Sequence, residues 1–89
     1  MIERETEIVN RLGLHARAAA KLVHTAGNYQ SRVTVSKDGE EVDAKSILGI
    51  LLLAAGQGSR VTVRCDGQDE EDAMRAVTTL IANRFDEES

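Results

Sequence analysis

The sequence predicts an α+β domain in which helices pack on one face of an antiparallel sheet. Three observations support this fold class. Apolar and polar residues alternate in several short segments, apolar residues recur at helical spacing in longer ones, and the two kinds of segment are interleaved in the order βαββαβα. The 89 residues suffice for a single domain, 1–89, and the one cysteine rules out an internal disulfide.

The first predicted element is a strand over residues 2–9. Apolar side chains and Thr6 share one face of this strand, glutamates line the other, and Arg4 falls on the apolar side. Residues 10–13 end in glycine and form the loop that leads to His15.

An amphipathic helix is predicted from Ala16 to Ala26. Its apolar face contains Ala19, Leu22, Val23 and Ala26. Gly27 and Asn28 are expected to end this helix, because both residues adopt a left-handed conformation readily. Lys21 lies on the polar face, and we expect its ammonium to be solvated.

Two strands joined by a tight turn follow. Residues 32–36 alternate, with two valines facing the core and Thr34 facing outward. Asp38–Gly39 is the strongest short sequence signal for a hairpin, and residues 41–44 are the predicted return strand.

The apolar run at 47–55 fits a strand or a helix on its pattern alone. Ser46 before the run, as an N-cap, and Gly56 after it favour a short helix. Because this segment is apolar almost all round, its outer side is either covered or used for docking.

Residues 59–65 alternate cleanly and form the clearest predicted strand. The acidic side chains at 69–72 suit the N-terminus of a last helix, which is expected to reach about Arg84. Residues 86–89 are predicted to be a frayed polar tail.

His15 is the candidate functional residue. Backbone N–H groups at a helix start have no intrahelical partners and the helix dipole is positive there, so the position suits an anion. A neutral imidazole is a nucleophile near neutral pH and can attack an electrophilic phosphorus. Arg17 adds a planar guanidinium that matches phosphate oxygens. The plain alternative is a polar residue near a helix cap.

Two segments resemble one protein family. Gly13–Arg17 (GLHAR) resembles the phosphorylation site of HPr, the histidine-containing phosphocarrier of the bacterial phosphotransferase system. Ala44–Ile50 (AKSILGI) resembles the regulatory-serine segment of that family. The resemblance extends from about Glu7 to Phe85. It implies an open-faced two-layer sandwich with a four-stranded antiparallel sheet, strand order 1-4-2-3, and three helices on one face.

The resemblance also implies roles for individual residues. His15 would accept a phosphoryl group on Nδ1 from phosphorylated enzyme I, itself charged by phosphoenolpyruvate, and pass it to an enzyme IIA protein. Arg17 would contact the phosphate, and Ser46 is the position that HPr kinase/phosphorylase modifies in some members. The implied partner-docking residues are Ala16, Ala20, Ile47, Leu48 and Leu51. Ala18 stands where the family commonly has proline.

Such a protein is a stoichiometric carrier and not an enzyme, and we expect it to be a cytoplasmic monomer without a cofactor or metal. A net charge of −4 and the shortage of aromatic residues argue against nucleic-acid binding. The longest apolar run, Ile47–Ala55, is too short to cross a bilayer. The sugar and nitrogen-regulatory branches of the system are not separated by the sequence. The alternative function is an allosteric module that docks on target proteins, which would not need His15.

Overall fold

The computed structural model describes residues 1–88 as one layer of helices on one sheet. The elements follow the predicted order and are β1 (Ile2–Glu7), α1 (Ala16–Gly27), β2 (Arg32–Lys37), β3 (Glu40–Asp43), α2 (Ile47–Leu52), β4 (Arg60–Asp66) and α3 (Glu70–Ala82). A short left-handed turn, Arg84–Asp86, with hydrogen bonds between residues three apart, follows α3.

The sheet is antiparallel throughout and has the order β1-β4-β2-β3. Val35 of β2 is paired with Val63 of β4 on one side and with Val42 of β3 on the other. Ile2 of β1 is paired with Cys65. This order confirms the topology that the family resemblance implied.

The core lies between the sheet and the helices. Valines of β2 and β4 meet alanines and branched side chains from α1 and α3, and the fully buried members include Val33, Val63, Leu22, Val77 and Ile81. These small and branched side chains fill the core in place of aromatic residues.

The open face of the sheet is polar and carries ion pairs. Arg64 pairs with Glu3 and with Glu41, the latter at 2.7 Å. Thr34 points to this face as predicted, yet it is only 6% exposed. Its hydroxyl donates to the Glu41 carboxylate at 3.0 Å, and this ionic layer covers it.

The hairpin between β2 and β3 forms as predicted. Asp38 and Gly39 both have positive φ, 53° and 84°, which a two-residue type I′ turn requires. The turn therefore fixes the register of β2 and β3, in which Val35 is paired with Val42.

Helix α1 ends at Gly27 and Asn28 as predicted, but the conformation of that end and the position of the α2 end differ from the prediction. Asn28 caps α1 in a right-handed conformation with φ −74°, so no left-handed residue ends that helix. Helix α2 ends at Leu52, and Ala54, with φ 51°, takes the left-handed conformation in place of Gly56. The chain turns there early because Leu53 and Ala55 are buried on either side of Ala54.

The last helix is shorter than predicted. It ends at Ala82, and Arg84, Phe85 and Asp86 then take positive φ values of 58°, 53° and 62°. A left-handed conformation costs a non-glycine residue roughly 1–2 kcal/mol. The turn reverses the chain and buries the Phe85 ring completely, which offsets part of that cost.

Candidate functional site

His15 is the N-cap of α1, and its own ring makes the capping bond. Nδ1 accepts a hydrogen bond from the Arg17 amide at 3.3 Å, and the Ala19 amide donates to the His15 carbonyl at 2.8 Å to begin the helix. Because Nδ1 accepts, it carries a lone pair and the ring proton is on Nε2. The side chain is 26% exposed, so the ring is reachable from solvent.

The loop before His15 depends on a glycine. Gly13 has φ +66°, and a Cβ there would lie 2.5 Å from the Ala55 carbonyl oxygen and 2.7 Å from the Gly56 Cα. The next amide, of Leu14, donates to that same Ala55 carbonyl at 2.9 Å. The backbone of this loop therefore packs directly on the segment after α2, where only glycine fits.

Asn10 holds the other end of this loop. Its side chain is fully buried, and its Nδ2 donates to the Gly13 carbonyl at 2.8 Å and to Glu87 Oε1 at 3.0 Å. Its Oδ1 is buried without a hydrogen-bond partner among residues 1–88. Sequence reasoning treated Asn10 only as part of a loop. The enrichment of asparagine at turns is the one signal that favoured a local role.

The C-terminal segment lies on the site, so the prediction of a frayed tail is wrong for Asp86 and Glu87; Ser89 is outside the described residues. Glu87 Oε2 accepts a hydrogen bond from His15 Nε2. The Glu87 side chain is 14% exposed. Burial raises the pKa of its carboxyl, but the hydrogen bonds from Asn10 and His15 and the charge of Lys21 outweigh burial and lower the pKa below its ordinary value.

Lys21 accounts for the position of this segment. Its ammonium donates to the Phe85 carbonyl at 2.7 Å, so it is not the solvated lysine that the sequence predicts. The buried Phe85 ring and this hydrogen bond together anchor the chain two residues before Glu87.

Arg17 is exposed in the first turn of α1. Its backbone amide contacts the His15 ring, as described above. The role of its guanidinium stays a prediction.

Ser46 is the N-cap of α2, as predicted. Its Oγ accepts from the Gly49 amide at 3.1 Å. A regulatory role for this serine stays a prediction.

Apolar side chains are exposed on α1, on α2 and in the loop before His15. The large ones are Leu12, Ile47, Leu48, Leu51 and Leu52, of which Leu48 is 69% exposed. Ala16 and Ala20 of α1 are exposed as well. The sequence singled out Ile47, Leu48 and Leu51 with the two alanines, and it missed Leu12 and Leu52.

The remaining candidate groups among residues 1–88 are Cys65 and the possible metal ligands. Cys65 is buried, and burial together with the nearby carboxylates of Glu70 and Asp69 raises the pKa of its thiol. Within residues 1–88 there is no cluster of three or more metal-ligating side chains. None of the helices in this part of the chain is long and apolar enough to cross a membrane.

The fold is an open-faced α+β sandwich whose first helix is capped by an accessible histidine. The family model described as the PTS HPr component phosphorylation site matches residues 2–83. The chain therefore belongs to the HPr family of phosphotransferase-system phosphocarriers.

Individual relatives agree with this assignment. The phosphocarrier protein HPr of Cupriavidus necator is 59% identical over 87 residues, which is 98% of each chain. The crystal structure of HPr-C-His from Thermoanaerobacter tengcongensis has a TM-score of 0.96 at 46% identity, with 100% of both chains covered. A crystal structure of an HPr dimer from the same organism has a TM-score of 0.79 at 46% identity, covering 98% of this chain and 100% of that one.

Proposed function

We propose that the protein is a phosphohistidine carrier. His15 accepts a phosphoryl group from phosphorylated enzyme I, which phosphoenolpyruvate has charged, and passes it to an enzyme IIA protein. One observation carries the proposal: the His15 ring caps α1 with the Nδ1 lone pair directed at the first turn of the helix. Membership of the HPr family supports the same role.

The geometry supports Nδ1 as the nucleophile. Its hydrogen bond from the Arg17 amide is long at 3.3 Å and easily displaced. Attack on phosphorus forms the N–P bond at Nδ1 while the bond to the donor's leaving nitrogen breaks in line with it. The Arg17 amide then donates to a phosphoryl oxygen.

The first turn of α1 offsets the charge of the bound group. The amides of Ala16 and Ala18 precede the first intrahelical bond, which starts at Ala19. They face the anion together with the Arg17 amide, in the positive field of the helix dipole. Ala18 supplies a donor that the family's common proline would lack. The Arg17 guanidinium adds a mobile positive charge. Together these contacts stabilise the phosphorylated ring enough for the N–P bond to form, yet weakly enough for the phosphoryl group to be passed on.

Partners dock on the apolar surface of α1 and α2. Leu48 and Leu52 are 69% and 64% exposed in a chain whose other large apolar side chains are mostly buried. This surface continues through Ala16 to the residue that carries the phosphoryl group. A partner that covers Leu48 and Ile47 therefore brings its own active site to His15.

Ser46 gives this surface a regulatory position. Its side chain is only partly buried, and it adjoins the exposed Ile47 and Leu48. Phosphorylation by a kinase of the HPr kinase/phosphorylase type would place about two negative charges at the edge of the docking surface. Partners that approach with acidic groups would then bind less well. The carrier itself acts stoichiometrically in the cytoplasm, as a monomer and without a cofactor.

Labelling with radioactive phosphoenolpyruvate and enzyme I tests the proposed function. The unmodified protein is expected to take up one acid-labile phosphoryl group per chain. His15→Ala is expected to take up none, whereas His24→Ala, which removes the exposed histidine at the other end of α1, keeps full labelling. Undiminished labelling of His15→Ala would refute the proposal.

A further inference from the structure

We propose that Glu87 is a positioning residue for His15. Its carboxylate holds the Nε2 proton of the ring, keeps Nδ1 as the nitrogen with the free lone pair, and balances the positive charge that the ring acquires when Nδ1 bonds to phosphorus. This inference rests on the proposed phosphocarrier function and adds a residue 72 positions away from His15 in the chain.

Both nitrogens of the His15 ring are hydrogen-bonded, one to a donor and the other to an acceptor. On one side the Arg17 amide donates to Nδ1, and on the other Glu87 Oε2 accepts from Nε2. Only the tautomer with its proton on Nε2 satisfies both contacts. The carboxylate leaves the position of the incoming phosphoryl group at Nδ1 open, because it is hydrogen-bonded to Nε2.

Glu87 is itself fixed by contacts that are independent of His15. Asn10 Nδ2 donates to its second oxygen at 3.0 Å, and Asn10 also holds the Gly13 carbonyl of the loop before His15. The Lys21 ammonium and the buried Phe85 ring anchor the segment just before it. Asn10 thus holds the loop before His15 in place and orients the Glu87 carboxylate.

Three consecutive left-handed residues give further support. Arg84, Phe85 and Asp86 all have φ between 53° and 62°, a conformation that is costly for residues other than glycine. This turn sends the chain back toward α1 and delivers Glu87 to the ring. Burial of the Phe85 ring stabilises this turn, and the turn fixes the position of Glu87.

The phosphoryl transfer needs no proton or charge from any group other than His15, Glu87 and the donor's nitrogen. The Nδ1 lone pair forms the N–P bond, and the electrons of the breaking bond stay on the donor's leaving nitrogen. The Nε2 proton remains on the ring, which becomes a phosphorylated imidazolium with its positive charge next to the Glu87 carboxylate. Transfer to the next protein reverses the step and returns the neutral ring. The arrangement resembles the carboxylate that orients and stabilises a catalytic histidine in hydrolases.

Proton NMR of the unphosphorylated protein tests the contact. The Nε2 proton of His15 is expected to give a slowly exchanging downfield signal in the unmodified protein and in Glu88→Gln, the matched control at the exposed neighbouring position. The signal should move upfield in Glu87→Gln, which keeps an acceptor but loses the charge, and exchange away in Glu87→Ala. An identical signal in all four proteins would overturn the inference.

Transfer kinetics from phosphorylated enzyme I test the role. Glu87→Gln is expected to lower kcat about tenfold and Glu87→Ala further, since a hydrogen bond to a charged group is lost. KM should stay within about twofold of the unmodified value, because Glu87 is not on the docking surface.

The outcomes separate the two proposals. Unchanged kcat in both Glu87 variants, with normal transfer to the unmodified protein, overturns the positioning role alone. An unmodified protein that accepts no phosphoryl group overturns the proposed function instead.

Discussion

The ammonium of Lys21 donates a hydrogen bond to the Phe85 carbonyl at 2.7 Å and so joins the second turn of α1 to the C-terminal turn. These two residues are 64 positions apart. Their contact brings the end of the chain over the start of α1, because Glu87, two residues after Phe85, is hydrogen-bonded to the His15 ring. The position of the last residues is thus set from the same helix that presents the histidine.

Removal of this ammonium should release the C-terminal turn. Lys21→Met keeps most of the apolar stem, and we expect it to lower the free energy of unfolding by about 1–2 kcal/mol and to weaken the Nε2 proton signal of His15. Urea denaturation and NMR measure the two effects. Lys37→Met is the matched control, since the Lys37 ammonium makes only a 4.0 Å pair with Asp38 at the hairpin. Equal effects of both substitutions would contradict this account of Lys21.

Gly13 should be the least replaceable glycine of the site. In Gly13→Ala the new methyl group meets backbone atoms at 2.5 and 2.7 Å, so the loop must move as well as adopt an unfavourable φ. We expect a loss of roughly 2–4 kcal/mol in urea denaturation and slower phosphoryl transfer. Gly39→Ala is the control, because it also has positive φ but an open environment, and should cost only about 1 kcal/mol. Similar losses in both variants would show that the close approach to Ala55 is not important.

A negative charge at Ser46 should weaken partner binding and leave the phosphoryl-transfer step at His15 unchanged. Ser46→Asp retains a side chain that can cap α2, so stability should change little, whereas Ser46→Ala should cost about 1 kcal/mol. In transfer assays with enzyme I, Ser46→Asp is expected to raise KM several-fold with kcat unchanged. Gln68→Glu adds the same charge at an exposed position in the turn before α3 and serves as the control. A lowered kcat with an unchanged KM would argue against a docking role.

Asp69 should stabilise the fold in a pH-dependent way. Its carboxylate accepts from the Ser31 hydroxyl and from the amides of Gln30 and Ser31, and these bonds lower its pKa below the ordinary 3.8. Its contribution is therefore present above about pH 4 and is lost as the pH falls through the folded-state pKa.

Urea denaturation of Asp69→Asn at several pH values measures this contribution. We expect the variant to be less stable than the unmodified protein near pH 7, and the difference to shrink toward pH 3. Asp72→Asn, at an exposed position of the same helix, is the control and should show little change. A difference that stays constant with pH would exclude the carboxylate as its source.

The elements of the fold were predictable because their signals are local. The alternation of β4, the Asp38–Gly39 turn and the Ser46 cap each lie within a few residues of the structure that they specify. The apolar run after Ser46 was ambiguous by pattern, and the cap favoured the helix that the structure has. Strand order came only from the family resemblance, since pairing between distant strands leaves no local pattern.

The site was predictable only in part, for the same reason. His15 and Arg17 lie together in sequence at a helix start, whereas Asn10 and Glu87 meet across 77 residues. The left-handed turn at 84–86 contains no glycine, so nothing in its composition marked it. Helix α1 ends at Gly27 and Asn28 as predicted, but without a left-handed residue, and α2 ends before Gly56, because glycine marks a possible left-handed residue without requiring one there.

The nitrogen that bears the phosphoryl group is the most direct test of the central claim, that the His15 ring presents Nδ1 to the first turn of α1. Nitrogen-15 and phosphorus-31 NMR of protein phosphorylated by enzyme I and phosphoenolpyruvate can identify the N–P bond through its scalar coupling. We predict coupling of phosphorus to Nδ1 of His15, with the Nε2 proton still present. Phosphorus bonded to Nε2, or to any other residue, would contradict the account.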